Sequence, residues 1–333
     1  MVMALPKNSN LSLALGLGAA TALGLLGFRY LAKQRKSRGL DAQNAVLNIP
    51  ELNTPSVFIK NRQQVEGIIR QLVAGGPEKL QVIADFDHTL SKHSHEGQII
   101  ATCFGILENS SAMPQIYKDQ VTQLKEIYYP IEFCHEMTNQ EKYPYMVEWW
   151  TKAQSIFVQC ELYKETITEM VAQTKCVLRD GSERLLYKLY KHGVPLLVFS
   201  AGIGDILEEV MRQKSTMHDN VKVVSNYMEY NGNGKVIGFK GNLIHTFSKN
   251  ESAIENSDYF EKLSHRHNII LMGDSIGDCH MADGCPSPEA TLKIGFLNHG
   301  VDRLLSKYQD LYDIVLVQDG TMDVPTAIIN RIF

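Results

Sequence analysis

The chain has 333 residues, of which 44% are apolar and 21% charged, with a formal net charge of -4. That balance fits an ordinary globular protein and excludes the basic field of a nucleic-acid binder, so no nucleic-acid partner is expected. Cys103, Cys134, Cys160, Cys176, Cys279 and Cys285 form no CxxC pair; a chain this long buries enough core without disulfides, and they read as reduced thiols of a cytosolic compartment.

Residues 11–28 carry no charge and are dominated by Leu, Ala and Gly. As a helix they span roughly 27 Å, enough to cross a bilayer core. Arg29, Lys33, Arg35, Lys36 and Arg38 follow, whereas only Lys7 precedes, which places the following chain in the cytoplasm. A cleaved signal peptide would carry its basic residues ahead of the run, and an organellar presequence would carry arginines within it. The expectation is an uncleaved membrane anchor with a basic flank over residues 1–40. Residues 41–91 read as a linker, with turns at Pro50 and Pro55, and the start of the core.

The apolar run at 80–85 ends in an acid, as a buried parallel strand does when it delivers functional groups to its carboxyl end. Similar runs recur at 194–200, 221–225, 268–273, 292–296 and 314–317, with helical patterns at 181–192 and 204–211 between them. This predicts an α/β fold, a Rossmann-like, doubly wound parallel sheet with ligands at the strands' carboxyl ends. Residues 92–175 break the rhythm, with helical patterns at 115–128 and 145–160 and no clear strand. They read as an inserted helical cap that excludes water from a site, and residues 176–333 complete the core.

Asp85-Phe86-Asp87-His88-Thr89 places two aspartates at a strand end. A D-x-D pair alone is usually a solvated turn, but further groups follow at later strand ends. These are Ser200-Ala201-Gly202, then Lys249 after a Gly-rich hairpin, then the G-D-S-I-G-D run at 273–278. A carboxylate attacks phosphorus only when the substrate's charge is neutralised. Asp85 and Asp274, with the Asp87 backbone carbonyl, are candidate ligands for Mg²⁺, which prefers hard oxygens. Asp85 is the candidate nucleophile, forming an aspartyl-phosphate, and Asp87 the acid and base. Ser200, Ala201 through its backbone, and Lys249 suit phosphoryl oxygens; Asp278 suits the metal's outer shell.

The order D-F-D-x-T, S-A-G, Lys, G-D-S-x-G-D resembles the haloacid dehalogenase superfamily of phosphatases. Longer stretches, YYPIE at 128–132, YPYMVEWWTK at 143–152, SAGIGDILEE at 200–209, GFKG at 238–241 and KIGFLN at 293–298, resemble the cytosolic 5′-nucleotidase III family over roughly residues 55–333. The segments at 128–130 and 149–153 are more similar to its 7-methylguanosine-phosphate branch. The resemblance implies a magnesium-dependent 5′-nucleotidase, with a monomeric catalytic domain acting on 7-methylguanosine, cytidine and uridine 5′-monophosphates and capable of side phosphotransfer. It implies that Glu132 contacts the base, that Phe104 and Tyr145 sandwich it, and that Ala153 adds a shape contact. A methylated, cationic guanine gains about 0.5–2 kcal/mol from two aromatic faces. The chain departs from the family at His88, where Met is usual, and at 98–102, where a basic Cys-Pro stretch is usual.

Without the resemblance, Phe104 and Tyr145 read as packing, as do Trp149 and Trp150. His88, His93 and His95 read as loop histidines, since magnesium disfavours imidazole. The rival functions are a phosphatase for a non-nucleotide ester, which needs no base sandwich, and a catalytically dead nucleotide-binding scaffold. A dead descendant has no chemical reason to keep Asp85, Asp87, Lys249 and Asp274 together.

Overall fold

The computed structural model describes residues 49–333 except 135, 250–258, 284 and 286. Its strands are β1 Val57–Phe58, β2 Leu80–Ala84, β3 Ser94–His95, β4 Gln98–Ile99, β5 Leu196–Ile203, β6 Val221–Tyr230, β7 Val236–Lys240, β8 Asn268–Gly273, β9 Ala290–Leu297 and β10 Ile314–Val317. The helices are α1 Arg62–Gly75, α2 Cys103–Asn109, α3 Gln115–Glu132, α4 Asn139–Val158, α5 Lys164–Gln173, α6 Ser182–Lys191, α7 Gly204–Lys214, α8 Tyr259–Lys262, α9 Val301–Leu311 and α10 Asp323–Ile332.

Eight strands form one sheet in the order β1-β10-β9-β8-β2-β5-β6-β7. All neighbours from β10 to β6 are parallel, and β1 and β7 close the edges antiparallel. Every residue of β2 and β8 is buried, which is why these strands are apolar without alternation. From β2 the chain winds outward through β5 and β6, then returns to β8 on β2's other side. That reversal opens a crevice at the carboxyl ends of β8, β2 and β5, where α/β sheets take ligands.

Helices α2 to α5 stand between the first long strand and β5. Within the stretch that the pattern leaves strandless, β3 and β4 pair as a short hairpin; two-residue strands are too brief to show a period. Helix α4 starts at Asn139, well before its apolar pattern, because Thr138 and Glu141 form a capping box. Strand β6 runs on to Tyr230 because beyond its pairing with β5 it pairs antiparallel with β7.

The membrane anchor expected across residues 11–28 is corrected. Among the described residues no helix is long and apolar enough to cross a membrane, and residues 11–28 lie outside them. The two longest helices, α3 and α4, mix charged and apolar residues and bury one face only, whereas a span needs about 20 mostly apolar residues. No membrane partner or membrane location is assigned.

Arg179 straps the crevice from below, its side chain wholly buried. It donates from Nε to Thr89 O (2.7 Å), from Nη1 to Asp319 Oδ1 (2.9 Å) and Gly320 O (2.7 Å), and from Nη2 to His88 O and Asn298 Oδ1 (3.1 Å). Its guanidinium also lies 4.2 Å from the Phe296 ring centroid. Burial pulls its pKa down to about 10, leaving it charged at neutral pH. Together these bonds hold His88 at φ 60, a left-handed geometry that a side chain rarely adopts unaided. Arg179→Met takes the cation from the half-buried Asp319 carboxylate and the donor from several carbonyls. It is expected to lower the unfolding free energy by about 3–5 kcal/mol in urea titrations, against under about 1 kcal/mol for Arg184→Met, whose pair with Asp323 is exposed.

Candidate functional site

Strand β2 ends by delivering Asp85, 3% exposed, whose backbone N–H continues the ladder to Met272 O at 2.9 Å. Next to it, β8 ends at Gly273 and the chain turns through Asp274 to Asp278. The turn is tied by Asp278 Oδ2, which accepts from the backbone N–H of Asp274 (3.1 Å) and Ser275 (2.9 Å). Tyr308 donates its hydroxyl to Asp274 O at 2.6 Å. Gly273 has no substitute here, since a Cβ would lie 2.3 Å from the Asp278 Cβ. Lys249 Nζ donates to Asp85 Oδ1 and, at 2.7 Å, to Asp278 Oδ1.

Charge in this pocket does not balance. The ligand atoms of Asp85, Asp274 and Asp278 lie within 4.8 Å of one another, with the Lys249 ammonium bonded to Asp85 and Asp278. Burial, and then Asp85 and Asp278, push the Asp274 carboxyl well above its ordinary range. Burial also raises Asp85, against the pull of Lys249. Burial alone would lower Lys249, but Asp278 and Asp85 outweigh it and raise the ammonium's pKa. Surplus buried carboxylates without imidazole or thiolate suit a hard divalent cation. Both Asp278 oxygens are already engaged, which leaves Asp85 and Asp274 to face an ion.

Asp87 sits across the crevice. Its Oδ1 accepts from the Cys103 backbone N–H at 2.9 Å, at the start of α2. Burial raises its pKa to about 6, against that hydrogen bond. Gly202 permits the approach: a Cβ there would lie 3.1 Å from both Asp87 Oδ2 and Ser200 Oγ. Ser200, 1% exposed, accepts from the Gly202 N–H at 3.0 Å, so Asp87 and Ser200 border one space. Ala201 O accepts from Trp150 Nε1 (3.2 Å) and Asn226 Nδ2 (2.9 Å).

On the helical insertion, Glu132 ends α3 and its Oε1 accepts from Thr246 Oγ1 at 2.7 Å. The ring that meets Phe104 edge-on is Trp150, at 6.4 Å, and Tyr145 stands 41% exposed on α4. Ala153 packs against the cluster of Leu124, Tyr128 and Met146. His93 lies between His88 and His299, at 4.9 and 5.5 Å between ring centroids, and among the described residues the one metal-capable cluster is the acidic one. Sequence reasoning missed Arg179, Trp150, Thr246 and Tyr308. Only Trp150 carried a signal, an aromatic beside the expected base site.

With this geometry in hand, comparisons with known proteins agree on one family. The model of the pyrimidine 5′-nucleotidase (UMPH-1) family matches residues 88–333. The 7-methylguanosine phosphate-specific 5′-nucleotidase of Homo sapiens is 44% identical over 284 residues, 85% of this chain and 95% of that protein. Its counterpart A from Xenopus laevis is 43% identical over 284 residues, 85% and 98% of the two chains. The crystal structure of cytosolic 5′-nucleotidase IIIB bound to cytidine superposes with a TM-score of 0.75 at 37% identity, covering 86% of this chain and 96% of that one. The chain belongs to the pyrimidine 5′-nucleotidase family. It is a 5′-nucleotidase on a haloacid dehalogenase-like fold.

The raised carboxyls set a pH signature. A carboxyl whose folded pKa exceeds its unfolded value stabilises the protein below the unfolded pKa, and that stability fades as pH rises through the folded one. The metal-free protein therefore loses stability from about pH 4 through about 6, where Asp87 titrates, and further as Asp85 and Asp274 ionise. A cation needs the ionised forms. Melting curves with EDTA or with magnesium are expected to show a larger metal-dependent Tm rise at pH 8 than at pH 5.

Proposed function

We propose that this chain is a magnesium-dependent nucleotidase that hydrolyses 7-methylguanosine 5′-monophosphate and the pyrimidine monophosphates CMP and UMP, with Asp85 as nucleophile. The observation that carries the reading is the cluster of Asp85, Asp274 and Asp278, with Asp85 and Asp278 buried and bonded to Lys249, beside Asp87. Relatives named for 7-methylguanosine phosphate support the substrate, and a neighbour bound to cytidine supports the pyrimidines. The cytosolic name of that neighbour supports a cytoplasmic site of action.

Asp85, Asp274 and the Asp87 backbone carbonyl would hold a Mg²⁺, which would supply charge neutralisation for the phosphate. Asp85 attacks phosphorus, the P–O5′ bond breaks, and Asp87 gives its proton to O5′. A group with a pKa near 6 keeps enough proton near neutrality to act as acid, yet readily becomes a base. Water then attacks the aspartyl-phosphate, Asp87 takes its proton, and phosphate leaves with Asp85 restored. Lys249 and Ser200 hold phosphoryl oxygens as negative charge develops on them, and Asp278 keeps Lys249 and the Asp274 turn aimed. The helices of residues 92–175 act as a cap that shuts water out and presents Glu132, Phe104, Tyr145 and Ala153 to the base.

Phosphate release by the purified chain with magnesium tests this. Turnover of 7-methylguanosine and cytidine monophosphates is expected, falling at least about a thousandfold in Asp85→Asn. Activity confined to sugar phosphates or phosphoserine would remove the nucleotide reading and leave the nucleophile in place. No release from any ester would favour a binding scaffold.

A further inference from the structure

Glu132 is held from two sides by residues that neither the fold nor the phosphate chemistry requires. Thr246 Oγ1 donates to Glu132 Oε1 at 2.7 Å, and Lys142 Nζ donates to the Glu132 backbone carbonyl at 2.8 Å. Lys142 is itself buried, with its ammonium 5.4 Å from the centroid of the Phe247 ring. Thr246 and Phe247 belong to the short segment that ends in Lys249, and this segment is tied by hydrogen bonds. Ile244 N–H donates to Asn226 Oδ1 (2.9 Å), His245 N–H to Ser248 Oγ (2.8 Å), and Ser248 N–H to His245 O (3.0 Å). The Thr246 carbonyl also packs on Gly277, where a Cβ would lie 2.2 Å from it. One side chain of the core therefore fixes a carboxylate of the helical insertion.

We infer that Thr246 is a specificity-determining positioning residue, whose hydroxyl fixes the plane of the Glu132 carboxylate so that it receives two adjacent base donors at once. The inference rests on the proposed role of Glu132 in reading the base. An ionised carboxylate has about four acceptor positions over two oxygens; Thr246 takes one and leaves the rest open. A guanine-type base offers a ring N–H and an exocyclic amine side by side, and a bidentate contact needs the carboxylate plane set in advance. Cytosine offers a single exocyclic amine, which a freely turning carboxylate follows. Losing the Thr246 hydroxyl should therefore weaken 7-methylguanosine monophosphate more than CMP.

The test is steady-state kinetics of the full-length protein with magnesium, on 7-methylguanosine monophosphate, CMP and p-nitrophenyl phosphate. It compares Thr246→Val, Thr246→Ser and Glu132→Ala, each checked for an unchanged melting temperature. Thr246→Val is expected to raise KM for 7-methylguanosine monophosphate about tenfold, the scale of one charge-assisted hydrogen bond. KM for CMP should rise less than about threefold, kcat should change little on all three, and Thr246→Ser should restore the original values. Equal loss on all three substrates would overturn the inference, because the hydroxyl would then merely support the Lys249 segment. An unchanged KM in Thr246→Val, beside a Glu132→Ala variant that loses base discrimination, would overturn the inference and keep the base-reading role. A Glu132→Ala variant with discrimination intact would take down both.

Discussion

Three carboxylates and one ammonium share a space in which Asp85, Asp278 and Lys249 are buried and Asp274 is half-buried, and no rearrangement of those four groups alone neutralises it. Like charges at this spacing in a poorly screened interior repel strongly. They stay together because rigid chain ends hold them. β8 and β2 are adjacent parallel strands, so Asp274 and Asp85 emerge side by side. Asp278 ties its own turn to Asp274 and Ser275, and Tyr308 fixes the same turn from α9. The fold thus stores an electrostatic demand that a divalent cation and a phosphate's surroundings can meet, and that demand is what turns a parallel sheet into a phosphatase site.

The other half of the device is the contact between the helical insertion and the core. Its polar ties do not run to arbitrary surface. Trp150 reaches the carbonyl of Ala201, in the segment that carries Ser200, and Glu132 reaches Thr246, three residues ahead of Lys249. Cys103, at the start of α2, donates to Asp87. In the proposed function, displacement of these helices by a base would be felt at the groups proposed to hold the phosphate. On that proposal, three short connections would join recognition at one end of a nucleotide to chemistry at the other.

Much of this was legible in the chain. Strands β2, β5, β8 and β10 declared themselves because a strand buried on both faces must be largely apolar, β9 showed an apolar run interrupted by Lys293, and Asp85, Ser200 and Asp274 followed from where those runs end. Helices α3 and α4 were placed by their period, α3 from its observed start at Gln115, although the start of α4 was not, because a capping box at Thr138 extends it beyond its apolar stripe. Edge strands of two residues left no pattern. Arg179 was invisible for a different reason: a buried arginine makes sense only through partners 90 to 141 positions away, and no local period encodes them. Thr246 was likewise an ordinary loop residue until the fold set it against Glu132. The uncharged run at 11–28 suggested a membrane span from its length and composition alone, and no helix of the described fold has that character.

The central claim is that phosphate passes through a covalent bond to Asp85. The most direct measurement is a rapid acid quench during a single turnover of 7-methylguanosine monophosphate, followed by mass spectrometry of the protein's peptides. A phosphoryl group found on the peptide bearing Asp85, appearing before free phosphate and decaying as phosphate accumulates, is the predicted result. Phosphate released with no phosphorylated protein at any time, or the phosphoryl group on a residue other than Asp85, would contradict the account.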